Sequence, residues 1–314
     1  MERTIKILSA VLAAQLAVAV VLFASSGAFQ GTGESPHFVD IDGSMIDEIV
    51  VSAPDAEPVI LRKEEDAWTL PDYKNLPVDE TKRAEVIERL VDSRAAWPVA
   101  TSASAAERFE VTEDKHQRHV VLRADGNVLA DHYLGTSPGF RQVHARRAGD
   151  DDVFAIDFNN YELPTKADDW IDKELLEPSG EITAIETRQF TLKKTDDGWQ
   201  LDGLPEDAHT DTTEADSLAR ALKTLRVTGA ADDEAVAGVE GKVPTFSYGV
   251  ETDSGAYSYA FYESEDEYLV KAANRDVYFR VSKYTGDRLK IDRDKLVADT
   301  KEIAGHEPAE NTSS

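Results

Sequence analysis

The chain has 314 residues, of which 61 are acidic and 34 are basic, so its formal net charge at pH 7 is −27. A field of this sign opposes binding to nucleic acid and to anionic lipid headgroups. No cysteine is present, which excludes disulfides, thiol catalysis, thiolate metal sites and a lipid anchor on an N-terminal cysteine. The acidic residues are scattered along the chain, as is typical of a solvated surface.

The N-terminal part of the sequence predicts a membrane anchor. Residues 1–6 form a short cytoplasmic start with two basic residues, and residues 7–29 are long and apolar enough for one helix to cross a bilayer. The position of the basic residues favours a single-pass protein with its N-terminus in the cytoplasm and its bulk outside the cytoplasm. A cleaved signal peptide is the alternative, because small residues at 24–28 offer a cleavage site. The length of the apolar core favours an uncleaved anchor.

The rest of the chain divides by composition and by turn signals. Residues 30–44 are expected to form a tether, and residues 303–314 a disordered polar tail. Between them, a Glu-Pro-Ser-Gly turn separates a first unit, residues 45–177, from a second unit, residues 178–302. Each unit is of ordinary domain size and is large enough to bury a core.

The most informative pattern is a repeat that relates the two units. Residues 60–70 read ILRKEEDAWTL and residues 191–201 read TLKKTDDGWQL. The gap-free identities pair Leu61, Lys63, Asp66, Trp68 and Leu70 with Leu192, Lys194, Asp197, Trp199 and Leu201. An internal repeat fixes the architecture before any other feature does. The alternative is coincidence between two ordinary β-rich domains.

The similarity continues after each tryptophan. An amphipathic helix is predicted after Thr81 and another after Thr212, with Asp79 or Thr81 and Asp211 or Thr212 as N-caps. Their apolar stripes are Ala84, Ile87, Leu90 and Val91 in the first, and Ala215, Leu218, Ala221, Leu222 and Leu225 in the second. Hairpins are predicted at 119–135 and 143–157 in the first unit, and at 246–263 and 268–282 in the second. The predicted fold is therefore α+β: two tandem duplicated units of antiparallel sheet plus amphipathic helix, behind one N-terminal transmembrane helix.

Most of the distinctive aromatic residues are expected to serve packing. The structural repeat anchors are Trp68, Leu70, Trp199, Leu201 and Trp170. A different interpretation applies to Tyr257, Tyr259 and Phe261, which alternate on one face of a predicted strand. They are a candidate partner or ligand surface, since such a ladder can stack on sugars. The alternative is that this face packs against a helix.

The sequence contains no constellation that identifies a reaction. His116, His119, His132 and His144 fall close together in sequence, and a zinc site among them would indicate a cryptic hydrolase. Asp40, Asp42 and Ser44 resemble a calcium loop but lack its closing glutamate. No nucleophile elbow and no glycine-rich phosphate loop are present. We therefore expect no catalytic residue, no cofactor and no metal, and predict that the protein is not an enzyme.

Several segments give the chain a resemblance to a bacterial family. They are Trp68 with Leu70, Leu134 with Gly135, Val153 to Ile156, Trp170 to Leu176, Trp199 with Leu201, and Asp276 to Val281. Over residues 45–300 the chain resembles the domain-of-unknown-function family numbered 4340. That family is similar to the extracytoplasmic part of auxiliary subunits of gliding-motility-type ABC transporters. The resemblance implies a non-enzymatic accessory or scaffold beside a transporter's permease and ATPase, with no catalytic residues to carry over. It also implies a single-pass protein of the bacterial inner membrane, with its bulk in the periplasm or otherwise outside the cytoplasm. An envelope glycan-binding module is the alternative.

Overall fold

The computed structural model describes residues 35–298, together with Gln15. Residues 35–298 form an α+β fold with two antiparallel eight-stranded sheets, so the α+β part of the predicted fold is confirmed. The predicted anchor (apart from Gln15) and the predicted tail lie outside the described residues. None of the helices that the structure describes is long and apolar enough to cross a membrane.

The first sheet contains strands from residues 48–156. Its strands are β1 Glu48–Ser52, β2 Val59–Glu64, β3 Ala67–Leu70, β4 Leu76–Pro77, β5 Arg118–Ala124, β6 Asn127–Leu134, β7 Val143–Arg147 and β8 Val153–Ile156. They are arranged in the order β4-β3-β2-β1-β5-β6-β7-β8. Two helices lie between β4 and β5 in the chain, α1 Glu80–Asp92 and α2 Ala103–Arg108. Short 3-10 helices occur at Gly43–Met45, Asn160–Glu162 and Ala167–Asp169.

The second sheet contains strands from residues 182–282. Its strands are β9 Ile182–Glu186, β10 Thr191–Thr195, β11 Gly198–Leu201, β12 Gly229–Ala230, β13 Phe246–Thr252, β14 Gly255–Glu263, β15 Glu267–Ala272 and β16 Tyr278–Ser282. Their order is β11-β10-β9-β13-β14-β15-β16-β12. The helices are α3 Thr212–Lys223, α4 Asp233–Val239 and α5 Lys283–Leu289, and a 3-10 helix follows at Arg293–Leu296.

Seven strands follow the same chain order in the two sheets. The series β3-β2-β1-β5-β6-β7-β8 corresponds to β11-β10-β9-β13-β14-β15-β16. The tryptophan hairpins also have the same register, since Lys63 pairs with Trp68 and Lys194 pairs with Trp199. The sequence repeat therefore coincides with a repeat of sheet topology.

The predicted helices and hairpins are present with small differences. Asp211 caps α3 by accepting hydrogen bonds from the backbone N–H groups of Thr213 and Glu214, both at 3.0 Å. In α1 the predicted stripe is wrong at one position: Ala84 is exposed and Val86 is buried. The buried face of α1 is rotated by part of a turn from Ala84 toward Val86, because the valine side chain offers more apolar area than that of alanine. The short helices α2, α4 and α5 lack a long periodic pattern and were not predicted.

Part of the predicted tether packs against the fold. Phe38 and Val39 are buried, and the Phe38 N–H donates to the Ser93 carbonyl oxygen at 2.7 Å. Burial of these two consecutive apolar side chains is favourable, and it stabilises the packed position of this segment. Residues 35–39 are called the leader segment below.

The described chain separates into two compact units. The first takes Ser52–Ala56 and Glu85–Leu163 together with the chain up to Asp47. The second takes Glu48–Val51, Glu57–Ala84 and the chain from Pro164 onwards. Strands β2–β4 and all of β1 except Ser52 therefore group with the second sheet, and contacts between them and residues 164–298 are internal to one unit.

Candidate functional site

The tryptophan of each repeated hairpin is a core residue beneath a basic side chain. Trp68 on β3 is buried, and the guanidinium carbon of Arg83 lies 4.8 Å from the centroid of its ring. Trp199 on β11 is also buried, with the Lys194 Nζ atom 4.9 Å from its ring centroid. The Trp199 Nε1–H group donates to Asp216 Oδ1 at 2.8 Å. A cation over an aromatic face is attractive, and a partnered indole N–H removes the cost of burial.

The leucine two residues after each tryptophan points into the same core. Leu70 and Leu201 are both buried. Side chains two positions apart lie on one face of a strand, so the repeated Trp-x-Leu element gives each sheet a pair of large apolar groups. All four side chains are buried and pack in the core, and Trp199 and Leu201 also line a cavity described below.

Trp170 holds the segment before the second sheet in place. Its ring is fully buried, its Nε1–H donates to the Pro164 carbonyl oxygen at 2.9 Å, and Lys82 Nζ lies 5.6 Å from its ring centroid. The Asp79 N–H donates to the Trp170 carbonyl oxygen at 2.8 Å. Residues 164–172 are thereby held against the chain that leaves β4.

Asp168 is the centre of a polar cluster inside the second compact unit. Its carboxylate accepts hydrogen bonds from the Tyr73 hydroxyl at 2.7 Å and from the Ala230 backbone N–H at 3.1 Å, and it pairs with the Arg280 guanidinium. The Lys173 ammonium donates to the Asp168 and Thr228 carbonyl oxygens. We call Tyr73, Asp168, Lys173, Ala230 and Arg280 the aspartate clamp.

The clamp depends on close backbone approach. A Cβ atom added to Gly229 would lie 2.2 Å from Asp168 Oδ1, so only glycine fits there. Burial and the neighbouring Asp168 carboxylate raise the pKa of Tyr73 to about 12, so this hydroxyl remains a donor. Burial lowers the pKa of Lys173. The clamp joins residues far apart in sequence, and its tightly paired charges fix geometry rather than offer a free reactive group.

The predicted aromatic ladder lies mostly in the core. Tyr259 and Phe261 are buried, and the Tyr259 hydroxyl donates to the Leu176 carbonyl oxygen at 2.8 Å. Burial raises the Tyr259 pKa. Tyr257 is half-buried, and its hydroxyl oxygen accepts from the Ser179 N–H at 3.0 Å, which lowers its pKa. Two of the three rings are therefore closed to a solvent-borne sugar, which favours the packing interpretation.

The four histidines lie in the first compact unit but do not form one cluster. His119 Nε2 lies 2.7 Å from Asp131 Oδ1, and the His116 and His119 ring centroids are 5.7 Å apart. His144 stacks on Phe109 at 3.9 Å between centroids. Within the described residues, no three His, Asp or Glu side chains are grouped so as to hold a metal ion. The zinc-site alternative therefore lacks a formed ligand set in this part of the chain.

His132 is the most unusual of the four. It is buried beside the Phe38 ring, with 4.9 Å between centroids, and neither ring nitrogen has a hydrogen-bond partner among the described residues. Burial lowers its pKa to about 4, and the nearby Arg147 charge acts in the same direction. The ring is therefore neutral at pH 7, and its protonation would place a cation in the core.

One cavity lies beside the second tryptophan hairpin. It has a volume of about 520 Å³ and is lined by polar groups that include Asp197, Asp202, His209 and Thr210. These carboxylate, imidazole and hydroxyl groups can hydrogen-bond a small polar molecule. Sequence reasoning did not identify this cavity, because its lining comes from turns whose polar residues are ordinary for turns.

These features define an α+β protein with two topologically matched antiparallel sheets, whose repeated aromatic residues are buried. Asp168 forms an internal polar cluster, and His132 is buried without a hydrogen-bond partner among the described residues. The chain belongs to the family described as Domain of unknown function (DUF4340), which matches residues 68–241. The resemblance predicted from the sequence is confirmed at this level. Neither the comparison with curated proteins nor the comparison with solved structures gives a match.

Proposed function

We propose that this protein is a single-pass membrane-anchored scaffold whose two α+β units, derived from one duplicated unit, act outside the cytoplasm as an accessory of an ABC-type transport complex. It binds the permease or ATPase-bearing partner subunits through protein contacts and performs no catalysis itself. The apolar residues 7–29 provide localisation. The family resemblance supports the type of partner.

The observation that carries this proposal is the attachment of the leader segment. Arg94 donates to the Ser35 carbonyl oxygen at 2.9 Å, and the Ala95 N–H donates to the Pro36 carbonyl oxygen at 3.0 Å. Arg147 donates to the Phe38 carbonyl oxygen at 2.7 Å. The fold thus begins within a few residues of the predicted anchor, as suits a scaffold positioned close to a membrane complex.

The aspartate clamp supports a scaffold in a second way. Asp168 and Arg280 are far apart in sequence, and their ion pair is partly shielded from solvent. Charge-assisted hydrogen bonds of this kind are stronger than neutral ones and have defined geometry. A protein that presents a fixed surface to partners benefits from such internal restraints.

The test is crosslinked co-purification of the full chain from native membranes. We expect a multi-span permease and an ATPase to be recovered with the wild-type protein. Asp168→Ala is expected to reduce this recovery, while Asp169→Ala, at an adjacent exposed carboxylate, leaves it unchanged. Recovery of the protein without any transporter subunit, under mild crosslinking that captures known membrane complexes, would contradict the proposal.

A further inference from the structure

One tryptophan differs from the other three in its exposure. The exposed fraction of Trp97 is 79%, against 4% for Trp68, 0% for Trp170 and 5% for Trp199. The chain has four tryptophans, so the others serve the core and Trp97 does not. A large indole left in water is an apolar surface that can be covered by another phase or molecule.

The backbone holds Trp97 in a defined position. Two residues before it, the Ala95 N–H donates to the Pro36 carbonyl oxygen at 3.0 Å; two residues after it, the Val99 N–H donates to the Val153 carbonyl oxygen at 2.7 Å. The indole is thus presented from a segment fixed on both sides, and its exposure does not arise from a loose loop end.

The same contacts place Trp97 beside the point where the chain arrives from the predicted anchor. Arg94, three residues before Trp97, donates to the Ser35 carbonyl oxygen at 2.9 Å. Between residue 29, where the predicted anchor ends, and Ser35, the chain can span at most about 20 Å even when fully extended. Ser35 therefore lies within about 20 Å of the bilayer surface when residues 7–29 are inserted, and the hydrogen bond between Ala95 and Pro36 places the backbone of Trp97 near that point.

The composition around Trp97 suits a lipid interface. Residues 93–106 contain no aspartate or glutamate, although 61 of the 314 residues in the chain are acidic. Val99 is also exposed, at 50%. The acidic residues Asp92 and Glu107 bound this stretch on either side. This stretch carries the basic Arg94 and no carboxylate, so phosphate headgroups repel it less than the rest of the acidic chain, although the carboxylates of Asp150 to Asp152 directly precede its backbone partner Val153. Tryptophan is enriched at membrane interfaces.

We infer that Trp97 inserts into the headgroup region of the bilayer and orients the first unit on the membrane surface. The occupant of this patch is the phospholipid bilayer itself. This inference rests on the proposed membrane anchor and deepens it, because it assigns a second, peripheral contact that fixes how the anchored unit faces the membrane.

The test uses the intrinsic fluorescence of the full chain in dioleoylphosphatidylcholine vesicles, with and without a lipid that carries a spin-label quencher near the headgroup. Trp97→Phe removes the one exposed indole. If the four indoles emit equally, the quenched fraction of wild-type emission should exceed that of Trp97→Phe by up to about one quarter. Tyr284→Ser, which changes another exposed aromatic side chain, should keep the wild-type quenching.

Each other outcome decides against the inference. If the quenching of wild type and Trp97→Phe is equal, and iodide in the water still quenches Trp97, then the indole faces solvent. If Trp97 is protected from both quenchers, it is covered by protein, either a second copy or another chain. Extraction with alkaline carbonate tests the membrane anchor independently of Trp97. Release of the protein from the vesicles would refute the proposed function. Retention without lipid quenching refutes only the role of Trp97.

Discussion

His132 gives the fold a calculable dependence on pH. Its pKa falls from the ordinary value of 6.5 to about 4 because the ring is buried. At about 1.4 kcal/mol per pKa unit, this difference corresponds to about 3 kcal/mol of folding free energy. Because the unfolded chain binds the proton more tightly, this stability is fully present above pH 6.5. It is lost as the pH falls and reaches a constant lower value below pH 4.

The substitution His132→Leu isolates this effect. We expect the free energy of unfolding of the wild type, relative to that of the variant, to fall by about 2 kcal/mol between pH 7.5 and pH 5, and by about 3 kcal/mol below pH 4. The assay is urea unfolding of the full chain in detergent micelles, followed by near-UV circular dichroism. Taking the difference between two proteins cancels the titration of the many other carboxylates.

Three neighbouring groups also affect the pKa of His132. Arg147 opposes its protonation, whereas Asp131 on the same strand favours it, and His119 adds a small repulsion. His209→Leu, at an exposed histidine, is the matched control for the loss of an imidazole. A His132→Leu difference that stays constant from pH 7.5 to pH 4 would contradict this prediction, because it would mean that the buried ring is protonated without cost.

Three further substitutions test the packing of the second compact unit by thermal or urea unfolding. Asp168→Ala should lower the unfolding free energy by about 2–3 kcal/mol, because it leaves Arg280 without its carboxylate. Gly229→Ala should also destabilise, since its Cβ would meet Asp168 at 2.2 Å, and in the double variant with Asp168→Ala the two losses should sum to less than their separate values. Asp211→Ala should cost about 1 kcal/mol by removing the N-cap of α3. Equal stability of Asp168→Ala and wild type, or strict additivity in the double variant, would contradict the clamp.

The sequence predicted the elements whose determinants are local. Lys63 pairs with Trp68 across a short turn, so strand propensity and turn residues a few positions apart suffice to define the hairpin. The turn at Asp125 and Gly126 is similar, because both residues adopt positive φ, 50° and 76°, as a tight hairpin requires. Repetition of the same pattern then allowed the second sheet to be predicted from the first.

The aspartate clamp could not be predicted by the same means. Arg280 lies 112 residues after Asp168, and with 61 acidic residues in the chain no pairing can be selected by spacing. The aromatic ladder shows a related limit. Alternation of Tyr257, Tyr259 and Phe261 identifies a shared face of a strand, but whether that face meets solvent or the core depends on which elements cover it.

The two sheets differ most informatively at one edge. In the second sheet β12 pairs with β16, and the Ala230 N–H also donates to Asp168 of the clamp. In the first sheet Ala100 makes a single bridge to Val153 of β8, and the chain before it carries the exposed Trp97. The matching strand order does not explain this difference, because β8 and β16 occupy equivalent positions in the two sheets. The residues that the repeat preserves are committed to packing. Properties that distinguish the two halves must therefore arise from residues that it does not preserve, among them Trp97, His132 and Asp168.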